Sequence, residues 1–191
     1  MNTHLLETEK KIFSLLEAAN TIRVRNPKES IALSKEALEY SSKNNIQILV
    51  AKCLSRLSFY MMINGDYNEA LPIVNDAIIL YEKLEDELAL AEAKYTLASI
   101  YYKTDNLQLG LKYLVECITI FKKHNNYLYQ AKAYKALGTI YEYFGDEDNA
   151  IQSYELTIEA AKRIGDINMK TNAYNPLSGL YLNRGEVEKA T

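Results

Sequence analysis

Tryptophan is absent, histidine and cysteine occur twice each, proline three times and glycine seven times in 191 residues. Each shortage excludes something. Two cysteines, Cys53 and Cys117, cannot build a disulfide framework, and they fit a reducing cytoplasm. No Cys/His cluster has metal-ligand spacing, and no Gly-rich loop is present to cradle phosphate. So few glycines and prolines leave too few turn signals for a β-sandwich or barrel of this length. An excess of positive charge is also missing: 22 Lys+Arg stand against 25 Asp+Glu, a net charge of -3. There is no electrostatic footprint for nucleic acid or an anionic membrane. No apolar run approaches the roughly 20 residues of a membrane span. Residues 1–12 carry acids and no hydrophobic block, unlike a secretory signal.

What is abundant points one way. Hydrophobic residues make up 48% of the chain, enough for a sizeable core, and 16 tyrosines accompany long stretches of Ala, Leu, Glu and Lys. That composition reads as all-helical. A register of 40 residues then organises the chain. Leu57, Leu97, Leu137 and Leu177 are each followed by a small residue: Ser58, Ala98, Gly138 and Ser178. Met61, Tyr101, Tyr141 and Tyr181 come next, then the turn positions Gly65, Asp105, Gly145 and Gly185, then the small residues Ala70, Gly110, Ala150 and Ala190.

Each unit reads as two antiparallel helices. Leu57, Ser58 and Met61 share a helical face. Gly65 can end that helix in a left-handed turn. Asp66 with Glu69 has the capping-box pattern, as does Asp105 with Gln108 where glycine is lost. The second helix carries Ala70, Leu71, Val74, Ala77 and Ile78 on one face. Asn26-Pro27-Lys28-Glu29 marks a helix start in the weaker first unit. Small side chains at Ser58 and Ala70 let two backbones approach closely, while the larger Met61 or Tyr packs into the neighbouring unit. The expected repeats cover about 4–43, 45–84, 85–124 and 125–165, with an incomplete fifth at 166–191. A solenoid normally ends in a capping helix with a polar outer face, and this pattern stops in mid-motif. Residues 1–191 are therefore expected to form a single array excised from a longer protein.

The pattern L-[SAG]-x-x-[YM]-x-x-x-[GD]-x-x-x-x-[AG] resembles the tetratricopeptide repeat, most fully at 136–146 (ALGTIYEYFGD) followed by Ala150 and Tyr154. The resemblance implies an all-α, right-handed superhelical solenoid of antiparallel helix pairs. Repeats of 40 residues rather than 34 look like those of bacterial sensory and regulatory proteins, including peptide-binding quorum-sensing regulators, and of kinesin light chains and spindle-orientation adaptors. Such arrays commonly precede a histidine kinase, a nucleotide cyclase or a DNA-binding domain.

Catalytic chemistry has little to work with. His4 lies near the start, and His124 follows Lys122 and Lys123 at a helix C-terminus, where a cation is favoured. Cys117 takes the place of Ala77 and reads as a packing residue. The acid clusters Glu82/Glu85/Asp86/Glu87 and Glu142/Asp146/Glu147/Asp148 fall at turns without the ligand spacing of a calcium loop. No catalytic residue, metal or cofactor is expected.

What remains is a groove. The resemblance implies that the first helix of each pair lines a concave surface. Its inward positions are Lys52, Ser55, Phe59 and Met62; Glu92, Tyr95, Ser99 and Tyr102; Lys132, Lys135, Thr139, Glu142 and Tyr143; and Asn172, Asn175, Gly179 and Asn183. Phe59, Met62, Tyr95, Ser99, Tyr102, Lys132, Lys135, Tyr143, Asn172 and Asn175 are the candidate contacts. Aromatics supply contact area at low entropy cost, and amides can hydrogen-bond a main chain. The carboxylate grip of chaperone-binding repeats would need Lys and Asn at Ser55 and Phe59, Asn at Thr96, and Lys and Arg at Lys132 and Ala136; only Lys132 matches. Asn175 resembles the first-helix asparagines by which kinesin light chains and quorum-sensing regulators hold a peptide backbone, and adjacent Pro176 predicts a kink.

The expected function is a non-enzymatic module that binds a protein or peptide segment in that groove, as the N-terminal sensory or scaffold region of a cytoplasmic bacterial signalling protein. The alternative is a free-standing scaffold that self-associates through the helix at 172–183. Neither nucleic acid nor membrane is an expected partner of this segment.

Overall fold

A computed structural model describes residues 3–190; Met1, Asn2 and Thr191, and the side chains of Thr3, His4 and Lys189, lie outside the described residues. The described residues form α1 (Thr3–Ile22), α2 (Pro27–Lys43), α3 (Gln47–Asn64), α4 (Tyr67–Lys83), α5 (Glu87–Lys103), α6 (Leu107–Lys123), α7 (Tyr127–Tyr143), α8 (Glu147–Ile164), α9 (Ile167–Asn183) and the short α10 (Val187–Ala190). No strand occurs among them. From α2 onward each helix begins 20 residues after the last, so the 40-residue register is built from two helix–turn halves of equal length.

The turn chemistry explains that regularity. Residues at positive φ fall at Asn45, Gly65, Glu85, Asp105, Asn125, Gly145, Gly165 and Gly185, 20 apart and one in each turn from α2–α3 onward. Each is the left-handed residue that ends a helix. The amide after it reaches back five residues: Asp66 N donates to Met61 O at 2.9 Å, Asp86 N to Tyr81 O at 3.2 Å, Asp146 N to Tyr141 O at 2.9 Å and Glu186 N to Tyr181 O at 2.9 Å.

Capping differs from the sequence expectation at two turns. Asp66 precedes α4 but makes no side-chain cap bond; its carboxylate instead accepts from Asn64 Nδ2 at 2.8 Å. Asp105 is the left-handed residue, with φ of 61°, so Asn106 takes the N-cap place and its side chain leaves α6 uncapped. Elsewhere the Asx caps form. Asp86, Asp146 and Asp166 accept from the amides of Ala89 (3.0 Å), Asn149 (3.2 Å) and Met169 (2.8 Å). Asn26 accepts from Glu29 N at 3.2 Å and donates from Nδ2 to the Glu29 carboxylate at 2.8 Å, with Pro27 in the first turn of α2.

The chain divides into two compact units, Met1–Asp105 and Asn106–Thr191. In the first, consecutive helices α1 to α5 pack pairwise and the first helices α1, α3 and α5 also touch in series. Ile12, Leu16, Ala37, Leu49 and Cys53 form one of its cores. Ser30 is buried and donates to Ala19 O at 2.7 Å, a cross-helix bond that a small side chain permits. Ser58 and Ala70 are fully buried where α3 meets α4. In the second unit α6 to α10 pack in order. Ala150, Ile151, Tyr154, Ile158, Ala173, Leu177, Leu180 and Tyr181 form its core, with Tyr141 and Ala190 packed against it. The register leucines Leu57, Leu97, Leu137 and Leu177 are all buried, each stabilising its unit by about 1.5–3 kcal/mol of apolar burial.

At Gly138 the second unit shows why a small residue is needed. A Cβ there would lie 2.7–2.9 Å from three ring atoms of Tyr154. Tyr154 therefore packs close against α7 at Gly138, and its hydroxyl bonds to the Glu142 carboxylate and to Thr139 Oγ1 at 3.3 Å. Tyr181 makes an analogous link between pairs, donating from α9 to Glu155 of α8 at 2.7 Å. α9 itself runs without a break through Pro176.

Candidate functional site

The face of the first helices in the unit Met1–Asp105 holds a cavity of about 330 Å³. Ile48, Lys52, Ser55 and Arg56 of α3 line one side, Leu88, Ala89 and Glu92 of α5 the other, and Tyr81 and Asp86 close the end where α4 turns into α5. The helical period puts Ile48, Lys52, Ser55 and Arg56 on one strip of α3, and Leu88, Ala89 and Glu92 on one strip of α5. Two cations therefore face two carboxylates. Lys52 Nζ also sits 4.8 Å from the ring centroid of Phe13, which extends the strip to α1.

The polar character of the cavity shows in Tyr81, one of its lining side chains. Its phenol is pushed well above the ordinary tyrosine value, first by burial and then by the Asp86 carboxylate, against the opposing pull of Arg56. Cys53, buried on α3, is pushed up to about 11 by burial. Cys117 is fully buried and its Sγ donates to Tyr113 O, as its packing role requires.

The expected groove residues are placed as follows. Lys52, Ser55 and Glu92 line the cavity, but none of the ten candidate contacts does. Phe59 and Met62 on α3, and Tyr95, Ser99 and Tyr102 on α5, are half-buried. The Phe59 ring lies 5.7 Å from Tyr60, Ser99 Oγ donates to Tyr95 O at 2.9 Å, and Lys103 Nζ stands 5.4 Å from the Tyr102 ring. In the unit Asn106–Thr191, Lys132 Nζ lies 4.6 Å over the Tyr129 ring, and that ring stacks on Phe121 at 5.0 Å. Lys135 is half-buried, with its carbonyl accepting from Thr139 Oγ1 at 3.1 Å. Tyr143 is 69% exposed, and Asn172 and Asn175 are exposed on α9.

Sequence reasoning missed Ile48, Arg56, Tyr81, Asp86, Leu88 and Ala89. A signal existed for part of this set: Ile48, Leu88 and Leu128 recur 40 residues apart, one position into each first helix. Tyr81 and Asp86 come from a second helix and its turn, which counting along first helices cannot reach. Among the described residues, no three His, Cys, Asp or Glu side chains group to hold a metal ion, and no helix is long and apolar enough to cross a membrane.

A family model of the tetratricopeptide repeat matches residues 89–163. The chain is 26% identical over 142 residues to response regulator aspartate phosphatase E of Bacillus subtilis (strain 168), covering 70% of this chain and 37% of that protein. It thus spans little more than a third of the length of the curated relatives it matches. A Rap protein solved in complex with competence and sporulation factor superposes with a TM-score of 0.76 at 18% identity, over 96% of this chain and 61% of that one. A Signal Transduction ATPase with Numerous Domains from Pyrococcus horikoshii, with a tetratricopeptide repeat sensor, gives 0.78 at 22% identity over 97% of this chain and 28% of that one. These likenesses establish a common fold. The paired helices, the matched stretch and the shared fold lead to one conclusion: residues 89–163 match the tetratricopeptide repeat, and the described residues as a whole have the helical-repeat fold of these structures.

Proposed function

We propose that this chain is a non-enzymatic binding module that holds a polypeptide segment against the face of its first helices. It serves as the N-terminal sensory or scaffold region of a cytoplasmic bacterial signalling protein, whose output is a histidine kinase, a nucleotide cyclase or a transcriptional regulator. The observation that carries this reading is the cavity between α3 and α5, which is lined by apolar, hydroxyl and charged groups together. That mixture suits a peptide, which offers backbone, apolar and charged groups at once. The complex of a Rap protein with its factor is a precedent on the same fold, and the STAND neighbour carries its repeats as a sensor. The curated relatives are named phosphatases. Against a nucleophilic thiol here stands the burial of both cysteines.

The test places charges on the α5 face. Leu88→Glu with Ala89→Glu, both in the cavity lining, should abolish capture of peptides selected on the wild-type chain while leaving the helical circular-dichroism spectrum unchanged. Unaltered affinity in a folded double variant contradicts the groove.

A second reading, self-association, draws on a hollow of about 480 Å³ between α8 and α9, lined by Glu155, Ile158, Glu159, Lys162, Tyr174, Leu177 and Tyr181. Ile167, Tyr174 and Leu182 are exposed on the same helix. Sedimentation equilibrium distinguishes the two readings: a monomer at all concentrations excludes the scaffold.

A further inference from the structure

The charges around the cavity of the first unit are arranged by sign. Lys52 and Arg56 lie on α3, one turn apart, while Asp86 begins α5 and Glu92 lies on it. Opposite charges that line one cavity often pair, yet among the described residues no ion pair joins the α3 cations to these carboxylates. Lys52 instead rests on the Phe13 ring, and Asp86 Oδ1 accepts from Ala89 N at 3.0 Å. The gap between the walls holds about 330 Å³, room for about ten waters. Ile48 and Leu88 add apolar surface on the two sides.

A ligand that fills this gap must answer both signs, because a purely acidic or purely basic one would meet a wall of its own charge. An extended peptide does so naturally. Its successive side chains point to opposite sides, so a strand lying in the cleft turns residues at odd separations toward opposite walls. We infer that this cavity selects extended peptide segments carrying an acidic side chain and a basic side chain at an odd separation, one or three residues apart, the acid toward Lys52 and Arg56 and the base toward Asp86 and Glu92. This specifies the ligand of the groove and rests on the peptide-binding reading above.

The test selects a random dodecapeptide phage library on the full chain and sequences the bound pool. Acidic–basic pairs at odd separations should be enriched about tenfold over the same pairs at separation two. Against individual selected peptides, Arg56→Gln and Glu92→Gln should each lower affinity about tenfold, as loss of one charge-assisted contact does. The double variant Arg56→Gln with Glu92→Gln, checked for wild-type helicity, should select a pool in which the odd-separation preference is reduced. A bound pool that shows no odd-separation preference, or a preference that the double variant leaves unchanged, overturns this inference and leaves the groove standing. A library that yields no binders at all overturns the peptide-binding reading and this one with it.

Discussion

Gly138→Ala tests the packing logic at its tightest point. The added methyl would meet Tyr154 Cε1, Cζ and Cδ1 at 2.7, 2.8 and 2.9 Å, well inside van der Waals contact. These are ring atoms, not a flexible tip, and Tyr154 is 1% exposed with its hydroxyl tied to Glu142 and Thr139. The ring cannot swing aside without breaking those bonds, so α7 and α8 must separate. Overpacking of this kind costs about 1–3 kcal/mol. Alanine returns about 1 kcal/mol through better helix propensity, which leaves a net loss of up to about 2 kcal/mol. Gly179→Ala in α9 is the control, because its Cβ would meet nothing within 4 Å. It gains propensity alone, about 0.5–1 kcal/mol. At about 2–4 °C per kcal/mol for a chain of this size, thermal melts followed by circular dichroism should move in opposite directions for the two variants. Adding Tyr154→Val to Gly138→Ala restores the small-residue–valine combination of Ser58 and Val74. That double variant should cost less than the sum of its two single changes. A Gly138→Ala protein that melts at or above wild type, like Gly179→Ala, refutes the reasoning.

Three further outcomes follow from single residues. Glu85 holds a left-handed conformation, φ 56°, which costs a non-glycine residue about 1–2 kcal/mol; Glu85→Gly should raise the urea midpoint by the equivalent of about 0.5–1 kcal/mol after the entropy of glycine is offset, and a lowered midpoint contradicts the turn assignment. Tyr181 is pushed up to about 12, first by its hydrogen bond to Glu155 and then by burial. Its raised folded value means that stability is fully present below about pH 10, the ordinary tyrosine range, and is lost as pH rises toward 12; ultraviolet titration should show one fewer late phenol in Tyr181→Phe than in the wild type, with Tyr81 late in both. Cys53 and Cys117 are buried, with Cys53 pushed up to about 11; Ellman's reagent should label neither in the folded chain at neutral pH and both on unfolding, and rapid labelling of the native protein contradicts their burial.

Much of the fold was legible because apolar residues recur at a fixed spacing. Leu57, Leu97, Leu137 and Leu177 mark the buried strip of each first helix, and their period survives because burial constrains residue type. The turns were harder to read. Eight turns share one backbone geometry, yet its left-handed residue is Asn, Gly, Glu or Asp. A single αL residue costs little enough that several side chains serve, so residue type blurs the 20-residue period. That blur explains the one-residue error at Asp105, which looks like a cap but occupies the glycine place. The groove was half legible. Lys52, Ser55 and Glu92 follow from helical phase along α3 and α5, whereas Tyr81 and Asp86 enter from α4 and its turn. The link from Tyr154 to Glu142 across Gly138 depends on interhelical distance, which no periodicity encodes.

The central claim is that the strip shared by α3 and α5 is where another polypeptide sits. Amide chemical-shift mapping on the full chain, titrated with a peptide selected on it, tests this most directly. The account predicts that the largest shifts fall at Lys52, Ser55, Arg56, Ala89 and Glu92, while the outer helices α2 and α4 stay unmoved apart from the α4–α5 turn at Asp86. Shifts centred on Ser34 to Ser41 of α2 or Asn75 to Ile79 of α4, with the α3–α5 strip unchanged, would contradict it.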